Sequence, residues 1–253
     1  MTRPTERFSD RVTDYVRARP GYPASIPALL AERCGLTPDW QVTDVGSGPG
    51  NLARLFLDNG NQVTGVEPNR EMRLAGERML AGYPRFTSVA GRAEATGLPS
   101  RSCDLVSAGQ AFHWFDPGPA RAEFARISRR PGWVVLVWND RAERASATMC
   151  GYEELLRRYG TDYRQAHHRR IGATEIAAFY APRTFERIEL NHSQTLDRDG
   201  LRARMLSSSY TPSEGTPQRA ELVAAVDRLF DHHERQGRVD LIYRTRVYLG
   251  RSD

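Results

Sequence analysis

The stretch that decides the fold is VTDVGSGPGN, residues 42–51. Its opening positions read as a β-strand, and glycine then takes every second place at Gly46, Gly48 and Gly50. Glycine enters left-handed backbone conformations at little cost and puts no Cβ between the chain and a neighbour. This turn therefore bares its backbone to something that comes very close. The ten residues from Asn51 on, NLARLFLDNG, have helical spacing and stop at Asn-Gly. A strand running through a glycine turn into a helix serves nucleotide binders of many kinds, so the visitor has to be identified from the residues around the glycines.

A phosphate-cradling P-loop is excluded, because no Gly-Lys-Ser/Thr follows. The dinucleotide fingerprint wants G-x-G-x-x-G, whereas the third glycine here comes one place early and Asn51 follows it. Asp44 sits two residues before Gly46, where a carboxylate repels a pyrophosphate and suits a cationic or amine-bearing ligand. Glu67 ends the next strand, NQVTGVEP, at a place where an acid accepts both hydrogens of a ribose diol. An acid at the turn and an acid for the ribose fit S-adenosylmethionine, which carries a sulfonium and an ammonium but no phosphate. The helix beginning near Gly50 offers its N-terminal N–H groups to that ligand's carboxylate.

Outward from the turn, strands and helices alternate. RFTSVAGRAE, SCDLVSAG and GWVVLVWND read as strands, and REMRLAGERMLAG and PARAEFARISR as helices. That alternation predicts a parallel sheet covered by helices on both faces. Residues 1–40 read as a separate helical cap, FSDRVTDYVRARPGYP and then ASIPALLAERCG, with Gly35 as the stop. After Asp140 come helices over 146–160, 196–210 and 218–237, a polar loop leading into another helix over TDYRQAHHRRIGATEIAAFY (161–180), and alternating strands RTFERIELN and VDLIYRTRVYLG. The reading is one domain over 1–253: a cap (1–40), a cofactor-binding core (41–139), and a helical elaboration with closing strands (140–253).

The 253 residues are 40% hydrophobic and 26% charged, an ordinary globular composition, with no run apolar enough to span a bilayer and no signal-peptide core; the cytoplasm is the expected location. Three widely spaced cysteines read as reduced thiols. The adjacent pairs His167-His168 and His232-His233 lack metal-ligand spacing, and no metal is expected. The net charge of +5 comes from 36 basic residues that are all arginine. They are spread along the chain and mixed with acids, which reads as coding bias on a solvated surface rather than as a nucleic-acid footprint.

Residues 41–139 resemble class I S-adenosylmethionine-dependent methyltransferases: TDVGSGPGN matches the first motif, GVEPN the second, and GRAEATGLP the acidic segment after strand three. SCDLVSAGQAFHWFD, the N-terminal FSDRVTDYVRARPGYP and the late SSSYTP are similar to a small-molecule branch grouped with trans-aconitate methyltransferase. The resemblance implies a Rossmann-like, doubly wound α/β sheet of seven strands, mostly parallel with the last strand antiparallel, with an N-terminal helical cap and a C-terminal helical elaboration. It implies S-adenosyl-L-methionine as cofactor and a small-molecule acceptor, with a carboxylic acid or hydroxyl group as the methylated function. Asp44, Gly46, Gly48 and Gly50 would frame the donor's methionine end and Glu67 the ribose. Pro68 and Met72 would lie against the adenine, and Ala93 and Glu94 along its other edge. Arg92 stands where many relatives carry an aspartate for the adenine amino group, so Glu94 is the expected substitute. Gln110, Tyr15 and Arg19 complete the implied donor set.

His113 follows the carboxyl end of the fourth strand, where open α/β sheets bind ligands, and is the candidate catalytic residue. Its neighbours Phe112, Trp114 and Phe115 either line an acceptor pocket or pack beneath the next helix. A nucleic-acid methyltransferase would carry an Asn/Asp-Pro-Pro-aromatic tetrad for a flipped base where this chain has AGQAFHWF. A non-catalytic binder of the donor would keep Asp44 and Glu67 but need no acceptor pocket. Neither the acceptor nor the oligomeric state follows from these residues.

Overall fold

The computed structural model describes residues 19–161, 172–208 and 210–252. Its strands are β1 (Gln41–Val45), β2 (Gln62–Val66), β3 (Phe86–Val89), β4 (Cys103–Gly109), β5 (Ser128–Arg141), β6 (Phe185–Leu196) and β7 (Val239–Arg251). They form one sheet in the order β3-β2-β1-β4-β5-β7-β6. The pairs joining β1 through β5 are parallel, and β7 runs antiparallel to both β5 and β6. This is the expected doubly wound sheet. Strand order reverses between β1 and β4, so their carboxyl ends open a crevice there, the usual ligand position in such sheets.

The described helices are α1 (Ile26–Cys34), α2 (Asn51–Asp58), α3 (Arg70–Met79), α4 (Pro117–Ile127), α5 (Ala147–Tyr159), α6 (Ala173–Tyr180), α7 (Arg198–Leu206) and α8 (Pro217–His233). Gly35 ends α1 in left-handed geometry at φ 78°, as its sequence position suggested. The apolar run in β5 is buried on both faces. Val134 and Leu136 point into one core with Phe112 and Phe124, and Val135 and Val137 into the other with Leu30 and Phe56. That two-sided burial explains why the strand reads as continuous hydrophobicity rather than alternation. A third core packs α5, α7 and α8 on β7 through Tyr152, Met205, Phe230 and Tyr243.

Two expectations shift in extent. The third strand ends at Val89, because Arg92 and Ala95 bond each other in a tight antiparallel bridge that turns the chain away. Phe112 and Phe115 belong to the core: Phe112 meets Phe179 edge-on at 4.7 Å and Phe115 at 5.9 Å, while Trp114 keeps 39% of its surface exposed.

Residues 19–25 lie across the carboxyl ends of β4 and β5. Asn139, at the end of β5, donates from Nδ2 to the Gly21 carbonyl at 2.7 Å and accepts from the buried Thr245 hydroxyl at 2.6 Å. Gln110 holds the Asn139 backbone, accepting from its N–H at 2.9 Å and donating to its carbonyl at 3.4 Å. Tyr22 covers Gly109 so closely that a Cβ there would land on its hydroxyl. Asn139→Ala should strand the buried Thr245 hydroxyl, release the Gly21 carbonyl to solvent and lower stability by about 2 kcal/mol. Thermal denaturation should show a melting point lower by about 4–10 °C. An unchanged melting point would mean that the strap is held by its other contacts.

Candidate functional site

The glycine turn is fixed by the strand beside it. Gly46 and Ser47 donate their N–H groups to the Val66 carbonyl at 2.8 and 3.2 Å, and Gly50 donates to the Ser47 carbonyl at 2.9 Å. All three glycines have positive φ: 67° at Gly46, 53° at Gly48 and 90° at Gly50. They differ in what surrounds them. A Cβ on Gly46 would meet the Ala111 Cβ at 2.5 Å, and one on Gly50 the Leu80 side chain at 2.5 Å. On Gly48 it would face open space, with only the Met72 methyl at 3.8 Å. Two of the glycines are thus required by packing, and the third leaves room for a visitor.

Glu67 closes the turn from β2. One carboxylate oxygen accepts from Gly48 N–H at 2.9 Å and the other from Asn69 N–H at 2.9 Å. Asp44 lies in β1, 1% exposed, and accepts from the Ser107 hydroxyl at 2.8 Å. Burial drives the Asp44 pKa up to about 7; the Ser107 hydroxyl and the Ala53 N–H offset this only in part, and Glu67 adds to it. Burial likewise raises Glu67 above the ordinary carboxylate range against the pull of the Asn69 and Gly48 N–H groups. Among the described residues no arginine forms an ion pair with either acid, in a chain where arginine supplies all 36 basic residues.

The expected residues fall into two groups. A cleft at the ends of β1 and β4 is lined by Asp44, Gly46 and Gly48, by Gln110, and by Arg19 from the strap. Around the corner of the turn, toward β3, stand Glu67, the exposed Pro68, buried Met72 and Ala93, and the half-buried Glu94. Glu94 is engaged locally: it accepts from the Asp116 N–H at 2.8 Å and pairs with Arg92 at 3.4 Å. Gly50 caps α2 and does not line the cleft. Tyr15 and the 167–170 arginine-histidine run lie outside the described residues.

His113 sits in a short 3-10 turn, Phe112–Trp114, with its ring 4.6 Å from that of Trp114. It keeps exposed surface and is not among the cleft-lining residues. Crowding of the ring, with the Arg19 charge nearby, brings its pKa down to about 4.

Sequence reasoning missed the far wall of the cleft: Asn139 and Arg141 from β5, Arg204 from α7 and Tyr243 from β7. Arg141 pairs with the fully buried Glu153 of α5. Arg204 is 2% exposed and donates from Nε to the Tyr243 hydroxyl at 3.2 Å. No local signal marks these residues, because long-range strand pairing brings them together.

Residues 43–136 match the family model described as a methyltransferase domain. An uncharacterized methyltransferase of Mycobacterium tuberculosis is 36% identical over 137 residues, covering 54% of each chain. One from Schizosaccharomyces pombe is 30% identical over 135 residues, covering 53% of each. The chain thus spans about half the length of the curated relatives it matches. Among solved structures, a type II methyltransferase candidate from Anaeromyxobacter dehalogenans superposes with a TM-score of 0.65 at 22% identity, over 92% of this chain and 98% of that one. A geranyl diphosphate methyltransferase solved with S-adenosylmethionine superposes with a TM-score of 0.50 at 13% identity, over 91% and 85%. The sheet order and these superpositions give the chain the Rossmann-like architecture of methyltransferases.

The Asp44 environment makes a stability prediction. Its folded pKa of about 7 lies above the ordinary aspartate value of 3.8, so the folded state holds the proton more tightly than the unfolded state. The resulting stability is whole below the ordinary pKa and is lost as pH rises through about 7, a span worth about 4 kcal/mol. Asp44→Asn should match the parent protein near pH 4 and exceed it in urea unfolding at about pH 8 by a few kcal/mol. A gap that does not change with pH would contradict a burial-driven shift.

Proposed function

We propose that this chain transfers a methyl group from S-adenosyl-L-methionine to a small-molecule acceptor, as one domain with a cap (1–40), a donor-binding core (41–139) and an acceptor-facing elaboration (140–253). The observation that carries this reading is the pair of buried acids, Asp44 and Glu67, flanking a glycine turn: among the described residues neither carboxylate has an ion pair, and the neighbouring Arg73 bonds Glu67 only at its backbone carbonyl, at 3.1 Å. Uncompensated carboxylates are costly to bury and suit a ligand that brings positive charge and hydroxyl donors. The space in front of Gly48 is what such a ligand needs for close approach. The family match over 43–136 supports the same reading.

Asp44 would face the donor's cationic end, and Gly46, Gly48 and the start of α2 at Gly50 its methionine portion. Glu67 would accept from the ribose hydroxyls with the lone pairs left by its two backbone bonds, beside Pro68, Met72, Ala93 and Glu94 at the adenine. Gln110, Arg19 and Tyr15 belong to the covering side. When bound, the donor supplies an activated methyl on a sulfonium. The protein's task is then positioning in a dry cleft, since a pre-activated group needs approach along one line more than it needs acid–base help.

Calorimetry should find stoichiometric binding of S-adenosylmethionine and S-adenosylhomocysteine and none of NAD. Glu67→Gln should weaken both by on the order of 2–3 kcal/mol, about 30- to 150-fold in Kd. Unchanged affinity in that variant would remove Glu67 from the ribose.

His113 is an accessory on this reading. With a pKa near 4 it is neutral through the physiological range and a weak base. His113→Ala should keep turnover within about threefold of the parent, with a flat profile from about pH 6 to 8. A loss of roughly a hundredfold, with an acidic limb that disappears in the variant, would make His113 the base instead.

A further inference from the structure

The strongest unexplained feature is a buried positive charge on the far side of the cleft from the glycine turn. Three arginines, Arg19, Arg141 and Arg204, line the cleft, against the single carboxylate of Asp44. Arg141 has its counter-charge in Glu153. Arg204 does not. It is 2% exposed, and its hydrogen bonds go to two neutral groups, the Tyr243 hydroxyl at 3.2 Å and the Ser207 hydroxyl at 3.4 Å. Among the described residues no carboxylate lies within ion-pair reach of it, and its Nη2 has no hydrogen-bond partner.

Its helix neighbours behave differently. Arg202 binds Asp227 with two parallel bonds of 2.6 and 2.8 Å, and Arg198 pairs with Asp231. These two, four residues apart, share the face of α7 that meets α8, while Arg204 is turned inward. A guanidinium never sheds its proton in a protein, so burying one without an anion carries a standing cost. Folding alone would have placed an apolar residue there. Tyrosines of the surrounding wall register the same charge: burial raises the Tyr152 phenol to about 12 against the pull of Arg204 and Arg141. Burial also raises the Tyr210 phenol, but Arg141 and a Ser208 hydrogen bond, with Arg204 and Arg19 behind them, more than offset that.

We propose that Arg204, backed by Tyr243, is a carboxylate-binding subsite of the cleft. A carboxylate fits better than a phosphate, because its two coplanar oxygens match one planar guanidinium fork. The carboxylate comes from one of two molecules: the amino-acid end of the donor, or an acid group anchoring the acceptor. The inference rests on the donor reading above for what lies beside the subsite, and on Arg204 itself for its chemistry.

The test uses the full chain with Arg204→Met. Three probes are titrated at fixed ionic strength: S-adenosylhomocysteine, 5′-methylthioadenosine, which lacks the amino-acid end, and succinate added to protein saturated with S-adenosylhomocysteine. The ligand-free variant should melt at or above the parent temperature, and one carboxylate probe should lose at least about tenfold in affinity. Loss for S-adenosylhomocysteine with 5′-methylthioadenosine unchanged assigns the subsite to the donor. Loss for succinate alone assigns it to the acceptor. A lower melting point with every affinity unchanged overturns the proposal and leaves Arg204 a structural residue. Should Arg204→Met not fold, Tyr243→Phe decides: a loss of about threefold or more for one carboxylate probe at the parent melting temperature upholds the subsite, and no loss overturns it. If the parent protein ignores S-adenosylhomocysteine altogether, the donor reading fails, and succinate titrated into ligand-free protein still tests Arg204.

Discussion

The carboxylate of Glu67 is the interaction on which the site depends. Its two oxygens bind the N–H of Gly48 in the turn after β1 and the N–H of Asn69 at the start of α3. Asn69 in turn caps α3 by accepting from the Met72 N–H at 2.9 Å. One side chain at the end of β2 thereby sets the left-handed turn, the entry of α3 and the seat of Met72. The Val66 carbonyl anchors the start of the turn, and Glu67 holds its exposed middle at Gly48, where a glycine-rich loop resists rearrangement only through the bonds made to it. The arrangement also leaves a buried acid beside Asp44 with no ion pair to either among the described residues and only the nearby Arg73 charge to offset Glu67, so the site is held in shape at a cost in stability, as functional sites commonly are.

The central part of this was legible in the sequence for a physical reason. Strand, turn and helix are adjacent along the chain from residue 41 to 58, and Asp44 and Glu67 take their positions from where their strands end. Parallel strands put those ends side by side once the order β2-β1-β4 is granted. The fold class followed from the same alternation. Even the buried β5 was readable, because a strand covered on both faces has no polar side to show.

The far wall was not legible. Arg204 lies in LDRDGLRARML with two other arginines, and local spacing reads them all as one solvated helix surface. Only the packing of α7 between α8 and β7 tells them apart: Arg198 and Arg202 meet the acids of α8, while Arg204 meets Tyr243. Asn139 is hidden in the same way. Its partners, Gly21 and Thr245, lie more than a hundred residues away in opposite directions. His113 is the reverse case. Its place after β4 suggests a role, yet Phe112 and Phe115 beside it turn into the core, Trp114 faces outward, and the cleft runs past on the Gln110 side.

These features share one electrostatic logic. The crevice is bounded on the β1 side by a carboxylate whose proton is held to about pH 7, and on the α7 side by a guanidinium with only hydroxyls for company. Each is expensive alone. They do not neutralise each other by direct contact, because no ion pair joins them among the described residues. A ligand carrying both a cation and an anion could discharge both costs at once, and one carrying neither would leave them standing. The strap over residues 19–25 adds Arg19 to the positive side and is itself tied down by Asn139 at the end of β5. The strap's cover over this end of the cleft limits water there and strengthens the buried charges that line it. Selectivity in such a site follows from the ligand's pattern of charge more than from its shape, since the hydroxyl and backbone groups present can adapt while the buried acid and the buried guanidinium cannot.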